Sequence, residues 1–340
     1  MKTILITGGA GFIGSNFARH IYKKYPDYKI MVLDALTYAG SVNNLPEGGF
    51  NSDRFEFWYG NIRNAELVDT LMSQADMVVH FAAESHVTRS IYDNLIFFET
   101  DVIGTQVISN AVLKYKDRIQ RFIHISTSEV YGSAESDLMS ETHPLNPMSP
   151  YAAAKCGADR LVYSYWQTYD IPAVIIRPFN NFGPYQHLEK LVPRLITSAL
   201  LGEPMRVHGD GSASRDWLHV DDHCNALDMV MHAPIEKVRG QVFNIGTAKS
   251  FSILEIAQFV SKLMKHDKIN FIGNRPGQVF RHTCDYQKIE KTLGWKPQVS
   301  FEQGILSTIE WYKANTAWWN AQVWMREIPI ISAMGKRERH

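Results

Sequence analysis

Residues 3–22 read TILITGGAGFIGSNFARHIY: a short apolar run, a turn with three spaced glycines, and the start of a helix. Gly8 would supply the unusual backbone torsion of a tight turn, Gly11 would let the backbone approach a pyrophosphate, and Gly14 would let helix and strand pack closely. The free amides of the helix N-terminus and the positive end of its dipole suit phosphate groups. This stretch predicts the strand, turn and helix that open a dinucleotide-binding fold.

An acidic residue closes the next apolar run, KIMVLD (29–34). In dinucleotide-binding folds a carboxylate at this point accepts hydrogen bonds from the adenosine ribose. The same carboxylate would repel the 2′-phosphate of NADP. Asp34 therefore predicts NAD as the cofactor.

Apolar, β-branched runs alternate with segments that are long enough for helices. The runs are 3–7, 29–34, 77–83, 121–126 and 172–178, and the helical segments include 14–25, 94–116 and 151–169. Runs without polar alternation suit parallel strands that are buried on both faces. The pattern predicts an α/β fold with a doubly wound parallel sheet, a Rossmann-like NAD domain.

The composition of the sequence changes near Phe179, after which prolines, glycines and aromatic residues are frequent. The predicted division is 1–178 for the NAD-binding Rossmann domain, with a returning segment near 215–246, and 179–214 with 247–330 for a smaller, interleaved substrate-binding α/β lobe. The run at 242–247 would be a strand that returns to the large sheet. Ser252, with Glu255 three residues later, predicts a capped helix start.

The composition excludes several classes of partner. The 340 residues include 35 Lys and Arg and 35 Asp and Glu, so a net charge of zero gives no general attraction to nucleic acid or to an anionic membrane. The three cysteines lack metal-ligand spacing and favour reduced thiols, and we predict no metal site. The N-terminal apolar run is too short for a signal peptide and no window reaches transmembrane length, so we expect a cytoplasmic protein.

A tyrosine and a lysine stand one helical turn apart in SPYAAAKCGADRLVYSY (149–165). A phenol with a pKa near 10 is a poor base, but a neighbouring ammonium favours its phenolate form. Tyr151 could then accept a proton from a sugar hydroxyl while Lys155 tunes its pKa. Earlier in the chain, HISTSEVYG (124–132) sets hydroxyl residues and one carboxylate, Glu129, at the end of an apolar run.

The Gly-x-x-Gly-x-x-Gly turn, the Tyr-x-x-x-Lys pair and several longer stretches resemble the extended short-chain dehydrogenase/reductase group, whose members remodel nucleotide sugars. Within it the sequence is most similar to the dTDP-glucose 4,6-dehydratases. The stretches that carry the resemblance include LITGGAGFIGSNF (5–17), LDALTYAGSVNNL (33–45), HFAAESHV (80–87), RPFNNFGPYQHLEKLVPR (177–194) and GDGSASRDWLHVDDH (209–223). The resemblance implies a nucleotide-sugar 4,6-dehydratase, a hydro-lyase with tightly bound NAD.

In that group the sugar 4-hydroxyl is oxidised, the C5 proton is removed, water leaves from C6, and hydride returns to C6 to give a 4-keto-6-deoxy sugar. By position, Tyr151 would be the base at the 4-hydroxyl, Thr127 would bind the 4-oxygen, and Glu129 would act at C5. The implied catalytic residues are Thr127, Ser128, Glu129, Tyr151 and Lys155. The implied cofactor-binding residues are Gly8, Gly11, Phe12, Ile13, Gly14, Asp34, Asn61, Ile62, Ala82, Tyr151 and Lys155.

Position 128 departs from the dTDP-glucose enzymes, which usually have aspartic acid there. Because serine is too weak an acid to protonate a leaving group unaided, Glu129 would serve as both base and acid, as in similar enzymes that dehydrate GDP-mannose or UDP-N-acetylglucosamine. The alternatives are a UDP-glucuronate decarboxylase, although no arginine that would hold a sugar carboxylate is obvious near Tyr151, and a 4-epimerase. A non-enzymatic NAD-binding sensor or scaffold is a further alternative.

The resemblance also implies how the nucleotide sugar is held. Arg215 and Arg281 match positions that bind the diphosphate, for which bidentate arginines are suited. The full implied set is Glu84, Ser85, Thr127, Asn180, Asn181, Lys190, Arg215, Asn244, near the base, and Arg281. The departures Thr88, Gln278 and Val279 favour a UDP-sugar, UDP-N-acetylglucosamine or UDP-glucose, over dTDP-glucose. Members of the group usually pair through two helices each, so we expect a homodimer through 94–116 and 151–169.

Overall fold

The structure, a computed structural model, describes residues 1–273, 279–327, 329–331 and 337–339. Its strands are β1 (Lys2–Thr7), β2 (Tyr28–Asp34), β3 (Phe55–Tyr59), β4 (Met77–His80), β5 (Arg121–Ile125), β6 (Ala173–Pro178), β7 (Asn180–Phe182), β8 (Met205–His208), β9 (Ser214–His219), β10 (Val242–Ile245), β11 (Ser250–Ser252), β12 (Ile269–Ile272), β13 (Arg281–His282), β14 (Pro329–Ile331) and β15 (Arg337–Arg339). Seven of them form one parallel sheet in the order β10-β6-β5-β4-β1-β2-β3. The predicted α/β doubly wound sheet is confirmed.

Helices connect the strands and cover the sheet. They are α1 (Phe12–Lys24), α2 (Ala65–Met72), α3 (Val87–Tyr92), α4 (Leu95–Phe97), α5 (Thr105–Lys114), α6 (Pro150–Tyr169), α7 (Leu191–Leu200), α8 (Val220–His232), α9 (Ile235–Val238), α10 (Ile253–Met264), α11 (Gln287–Leu293), α12 (Phe301–Ala314) and α13 (Thr316–Asn320). A π-helical turn, Phe98–Gly104, joins α4 to α5, so the predicted helical segment 94–116 is one interrupted helix. Such turns occur often at functional sites.

The two faces of the large sheet carry separate apolar layers. On β1, Ile4 and Ile6 lie in a fully buried cluster with residues of α1 and α8. Leu5, between them in the strand, belongs to the opposite cluster with residues of α2, α5 and α6. Since each fully buried aliphatic side chain contributes about 1.5–3 kcal/mol, both layers hold the sheet rigid. The sheet therefore gives a fixed edge at the carboxyl ends of its strands.

The second half of the chain builds a smaller unit and also returns to the large sheet. The strand predicted at 242–247 is β10, which pairs in parallel with β6. The strand β9 differs from expectation: it pairs with β7, β11 and β13 in a four-stranded sheet rather than joining the returning segment, which begins only at α8. Conversely, Ile289 and Trp295 pack into the core of the large sheet although they lie beyond residue 247.

Local sequence signals account for the helix starts that matter here. The Ser149 hydroxyl caps α6 by accepting a hydrogen bond from the Ala152 amide at 3.1 Å, and Pro150 occupies the first turn. This start fixes Tyr151 and Lys155 on the first turns of α6. The predicted cap at Ser252 is confirmed, since the Ser252 and Glu255 side chains bond to each other's backbone amides at the start of α10.

Candidate active site

A cleft of about 500 Å³ opens at the carboxyl ends of the large sheet's strands, where the strand order reverses between β1 and β4. Ligands of doubly wound folds bind at this point. Of the residues predicted for the site, those that line the cleft are Gly8, Gly11, Phe12, Ile13, Gly14, Asp34, Asn61, Ile62, Ala82, Glu84, Ser85, Thr127, Ser128, Glu129, Tyr151, Lys155, Asn180, Asn181, Lys190 and Arg215. Asn244 and Arg281 are not among the residues that line it.

The glycine turn has the shape that a dinucleotide needs. Gly8 has a φ of +69°, and a Cβ there would lie 2.5 Å from the backbone nitrogen of Ala82. A Cβ at Gly14 would lie 2.4 Å from the Gly8 carbonyl oxygen, so that turn and helix can pack this closely only with glycine. A Cβ at Gly11 would meet only the Gly8 oxygen, at 3.3 Å, which leaves the space beside the start of α1 open. The turn therefore fits a pyrophosphate.

Asp34 lies at the carboxyl end of β2 with its carboxylate directed back to the turn. Its two oxygens accept hydrogen bonds from the amides of Ala10 at 2.9 Å and Leu36 at 2.8 Å. Burial raises the pKa of Asp34, and these two amides oppose the rise. Each oxygen keeps a lone pair, so the carboxylate can still accept ribose hydroxyls.

Tyr151 and Lys155 project from one face of α6 into the cleft. The Lys155 Nζ donates a hydrogen bond to the Ile125 carbonyl oxygen at 2.7 Å, which ties α6 to the end of β5. Burial raises the pKa of Tyr151, and the negative Asp101 adds to the rise. Burial also lowers the pKa of Lys155. Positive charge brought into the cleft would favour the phenolate of Tyr151.

The stretch after β5 forms a single 3-10 turn, Ser128–Tyr131, that Thr127 caps. We call it the catalytic turn because it carries the predicted catalytic residues Ser128 and Glu129. The Thr127 hydroxyl accepts a hydrogen bond from the Glu129 amide at 3.2 Å. The Glu129 carboxylate remains partly exposed at the cleft wall, with 19% of its side-chain surface accessible. Ser128 is buried, and its hydroxyl lies 3.4 Å from Nδ1 of His282. Thr127, Glu129 and Tyr151 thus border the same cleft.

At the far end of the cleft the predicted polar residues are largely held by the protein itself. The buried Arg215 donates to the Ser214 carbonyl oxygen at 2.8 Å. Lys190 donates to the Ser85 carbonyl oxygen at 3.1 Å, and Asn181 donates to the Phe179 carbonyl oxygen at 2.8 Å. These bonds fix the side chains that border the substrate end of the cleft.

Two predicted substrate residues lie elsewhere. Asn244 is fully buried: its side-chain oxygen accepts from the Tyr131 hydroxyl at 2.7 Å and its amide donates to the Met139 carbonyl oxygen at 2.9 Å. Asn244 lies on β10, the edge strand of the large sheet, and does not line the cleft, so its position near the base stays a prediction. Arg281 does not line the cleft and forms an ion pair with Asp137 at 3.0 Å.

Two of the three residues that depart from the dTDP-glucose pattern lie within the described residues. Thr88 is buried at the cleft wall, and its hydroxyl has no hydrogen-bond partner within the described residues. Val279 is buried. Gln278 lies outside the described residues.

Comparison with known proteins places the chain in a family. The sequence model of the GDP-mannose 4,6-dehydratase family matches residues 5–308. The chain belongs to this family. The low-salt glycan biosynthesis protein Agl12 of Haloferax volcanii is 46% identical over 311 residues, which cover 91% of this chain and 98% of that protein. The dTDP-glucose 4,6-dehydratase of an Actinoplanes species is 41% identical over 323 residues, 93% of this chain and 99% of that protein.

Solved structures of similar enzymes share the fold of nearly the whole chain. The dTDP-glucose 4,6-dehydratase DesIV of Streptomyces venezuelae, with NAD and TYD bound, superposes with a TM-score of 0.89 at 40% identity, covering 94% of this chain and 99% of that chain. The predicted recognition is confirmed: the protein is an extended short-chain dehydrogenase/reductase of the nucleotide-sugar 4,6-dehydratase type, and therefore a hydro-lyase.

Several side chains in or next to the cleft were not predicted from the sequence. Asp101, in the π-helical turn, accepts a hydrogen bond from the Glu84 amide at 2.8 Å, and burial raises its pKa to about 7. Arg194 and Arg206 add positive charge at the lobe end of the cleft. His282 reaches the catalytic turn from β13. No short motif marks these residues, because their neighbours in space are far apart in the chain.

Within the described residues, no helix is long and apolar enough to cross a lipid bilayer. In the same part of the chain, no group of three or more histidine, cysteine or acidic side chains is arranged to hold a metal ion.

Proposed function

We propose that the protein converts an NDP-hexose to its 4-keto-6-deoxy derivative with one carboxylate, Glu129, working at both C5 and C6. The observation that carries this proposal is the composition of the catalytic turn, where Ser128 stands beside Glu129 and offers no second acid. Tyr151 and Lys155 border the same cleft. The candidate substrates are UDP-N-acetylglucosamine, UDP-glucose and dTDP-glucose.

The first step is proton removal from the 4-hydroxyl. Tyr151 accepts this proton as a phenolate, a form that the positive charges of Lys155 and of the nicotinamide would favour against the effect of burial, and Thr127 binds the 4-oxygen. Gly8, Gly11, Gly14 and Asp34 would hold NAD, which would supply the hydride chemistry at C4 and C6. Fixing these groups on a rigid sheet edge keeps them oriented for the reaction.

The second step uses Glu129 twice. The 4-ketone acidifies the C5 proton, and the Glu129 carboxylate removes it, so that Glu129 becomes a carboxylic acid. The same acid then donates this proton to the departing C6 oxygen, which leaves as water. Glu129 ends the step as a carboxylate, so no proton need come from Ser128. When hydride returns to C6, C5 takes up one proton. The proton that Tyr151 took from the 4-hydroxyl balances it, and Tyr151 returns to its phenolate form.

The proposed function is tested by offering purified protein dTDP-glucose, UDP-glucose, UDP-N-acetylglucosamine and UDP-glucuronate and measuring product masses. Loss of one water supports the dehydratase. Loss of carbon dioxide would support a decarboxylase, and an altered sugar of unchanged mass would support an epimerase. Turnover of none of the four would favour a non-enzymatic NAD-binding sensor or scaffold.

The base of the preferred nucleotide is a finer proposal. We favour UDP-sugars because Thr88 and Val279 depart from the dTDP-glucose pattern. Uracil and thymine differ by one methyl group, and one methyl contact changes kcat/KM by only about 10- to 200-fold. Equal or higher kcat/KM for dTDP-glucose than for UDP-glucose would contradict this preference.

We further propose a homodimer that pairs through 94–116 and α6. Leu95, Phe98 and Ile103 are 64%, 40% and 48% exposed on this segment, and exposed apolar residues favour a protein partner. Sedimentation should give a dimer, and Ile103→Arg should shift it towards monomer. A monomeric wild-type protein at micromolar concentration would refute the proposal.

Three broader assignments complete the proposal. The proposed division assigns 1–178 with a returning segment to the NAD domain and the remaining residues to a lobe. The separate apolar core of the lobe around α7, β8, α10 and α12 supports it, with β9 belonging to the lobe sheet and with Ile289 and Trp295 packing on the large sheet. A cytoplasmic location is supported by cysteines that form no disulfide within the described residues. The net charge of zero supports a small-molecule substrate rather than nucleic acid.

A further inference from the structure

His282 is a fully buried histidine that reaches the catalytic turn from the smaller sheet. Its strand β13 pairs with β9, where His282 lies opposite Arg215. Its Nε2 lies 2.5 Å from the carbonyl oxygen of Gly132, just after the catalytic turn. Because a carbonyl oxygen can only accept, Nε2 must carry a hydrogen. One edge of the ring is therefore committed to the backbone.

The other edge of the ring faces the two residues of the catalytic turn that matter for elimination. Nδ1 lies 3.4 Å from the Ser128 hydroxyl oxygen and 4.0 Å from Oε1 of Glu129. In the neutral ring, Nδ1 has a lone pair that accepts the Ser128 hydroxyl hydrogen or the acid hydrogen of a protonated Glu129. In the protonated ring, Nδ1 donates to the Glu129 carboxylate instead.

The surroundings of His282 restrict where its proton can go. Burial lowers the pKa of His282, Glu129 raises it, and Arg215 and His143 lower it. The ring of Phe179 packs edge-on against it, with 6.2 Å between the ring centres. The ring is closed to solvent, so Glu129 and Ser128 are the groups beside Nδ1 with which a proton can be shared.

We propose that His282 is a positioning residue whose Nδ1 edge holds Ser128 and the proton-carrying form of Glu129 during elimination. The inference rests on the proposed dehydratase function. When Glu129 removes the C5 proton, the new acid hydrogen is within reach of Nδ1 after a small side-chain rotation. The C6–O bond then breaks, the proton passes from Glu129 to the leaving oxygen, and water departs. His282 ends the step unchanged, so atoms and charges balance.

The proposal requires that the Nδ1 edge of the ring matters more for elimination than the Nε2 edge. Two amide substitutions of His282 distinguish the two edges. In His282→Asn the amide occupies the place of Nδ1, next to Ser128 and Glu129. In His282→Gln the longer amide reaches the place of Nε2 and keeps the bond to the Gly132 carbonyl oxygen. Both variants remove the titrating ring, and they differ chiefly in which contact they preserve.

The experiment measures two steps separately in the holoenzyme with its best substrate among the four sugars. The absorbance of NADH reports oxidation at C4, and mass spectrometry reports exchange of the C5 hydrogen with deuterated water. We expect His282→Gln to slow C5 exchange by about 10- to 100-fold, which is the size of a lost hydrogen bond to a charged group, while NADH formation stays close to wild type. We expect His282→Asn to retain most of the exchange.

The pH dependence gives a readout that a packing defect would not change. In the wild type, protonation of His282 pairs the ring with the Glu129 carboxylate and weakens it as a base. The fall in the C5 exchange rate that accompanies protonation of the ring, at a pH below the usual histidine range because burial lowers the pKa of His282, should therefore be absent in both variants.

The outcomes separate the alternatives. Slow exchange in His282→Asn with normal exchange in His282→Gln would mean that the ring only anchors Gly132, and would overturn the proposal. Normal exchange in both variants, or equal loss of NADH formation and exchange, would overturn it as well. Failure of the proposed function would look different, because the wild-type protein itself would form no NADH or dehydrated product with any of the sugars.

Discussion

A buried ion pair connects the catalytic turn to α6, and its removal should strongly destabilise the fold. The Arg177 guanidinium on β6 donates two hydrogen bonds to Asp159 of α6, at 2.9 and 3.0 Å, and a third to the Tyr131 hydroxyl at 3.0 Å. Both charged side chains are almost completely buried, with accessibilities of 2% and 0%. Replacing Arg177 with methionine, which keeps much of the chain length, would leave the Asp159 carboxylate buried without its main partner.

The loss of unfolding free energy depends on the groups that still contact the Asp159 carboxylate. Removing one partner of a buried pair costs about 3–5 kcal/mol, since it leaves an uncompensated charge. Arg160 also contacts Asp159 but is 39% exposed, so solvent weakens its compensation. We therefore expect Arg177→Met to lower the free energy of unfolding by about 3 kcal/mol, the lower end of that range.

The assay is urea denaturation followed by fluorescence, with a matched control on the surface. Arg239 forms a pair with Asp170 at 3.0 Å, but these side chains are 42% and 71% exposed. Arg239→Met should cost less than about 1 kcal/mol, as exposed pairs do. If Arg177→Met cost no more than Arg239→Met, the reasoning about buried charge at this site would be refuted.

Three further predictions concern the cleft. Glu129→Gln should abolish product yet still allow NADH to form on addition of substrate, and normal turnover of this variant would show that Glu129 is not the C5 base. Gly14→Ala should purify with little bound NAD, because its Cβ would lie 2.4 Å from the Gly8 oxygen, whereas Gly273→Ala, with open space around it, should retain NAD. Asp101, whose folded pKa is raised to about 7 by burial, stabilises the fold at pH 4 and below and loses this contribution as the pH rises to 7 and beyond. Urea midpoints should thus show Asp101→Asn gaining stability relative to wild type from pH 5 to pH 8, and a constant difference would contradict the buried, protonated carboxyl.

The sequence anticipated what depends on short, local patterns. The run around Gly8 and Gly14 needs glycine because turn, strand and helix meet within a few residues, so its meaning is readable from spacing alone. Tyr151 and Lys155 share a helix face because they are one turn apart. The parallel sheet followed from apolar runs that lack polar alternation.

The sequence could not predict side-chain contacts that depend on distant neighbours. Asn244 follows the family pattern, yet its amide is taken by Tyr131 and Met139, which lie more than a hundred positions away. Arg281 donates a hydrogen bond to Asp137, and no local sequence motif predicts this contact. Side-chain direction at such positions is set by which strands become neighbours.

The sequence by itself determined the fold class, the dinucleotide turn and the chemical types at the catalytic turn, because each is encoded within a helix, a strand or a turn. Only the tertiary structure decided which of those groups meet. It brought His282 to Ser128 across 154 positions and set Asp101 beside Lys155 in a buried site. Proton chemistry depends on distances of a few ångströms and on burial, and both arise when the β13 strand and the π-helical turn pack against the sheet edge.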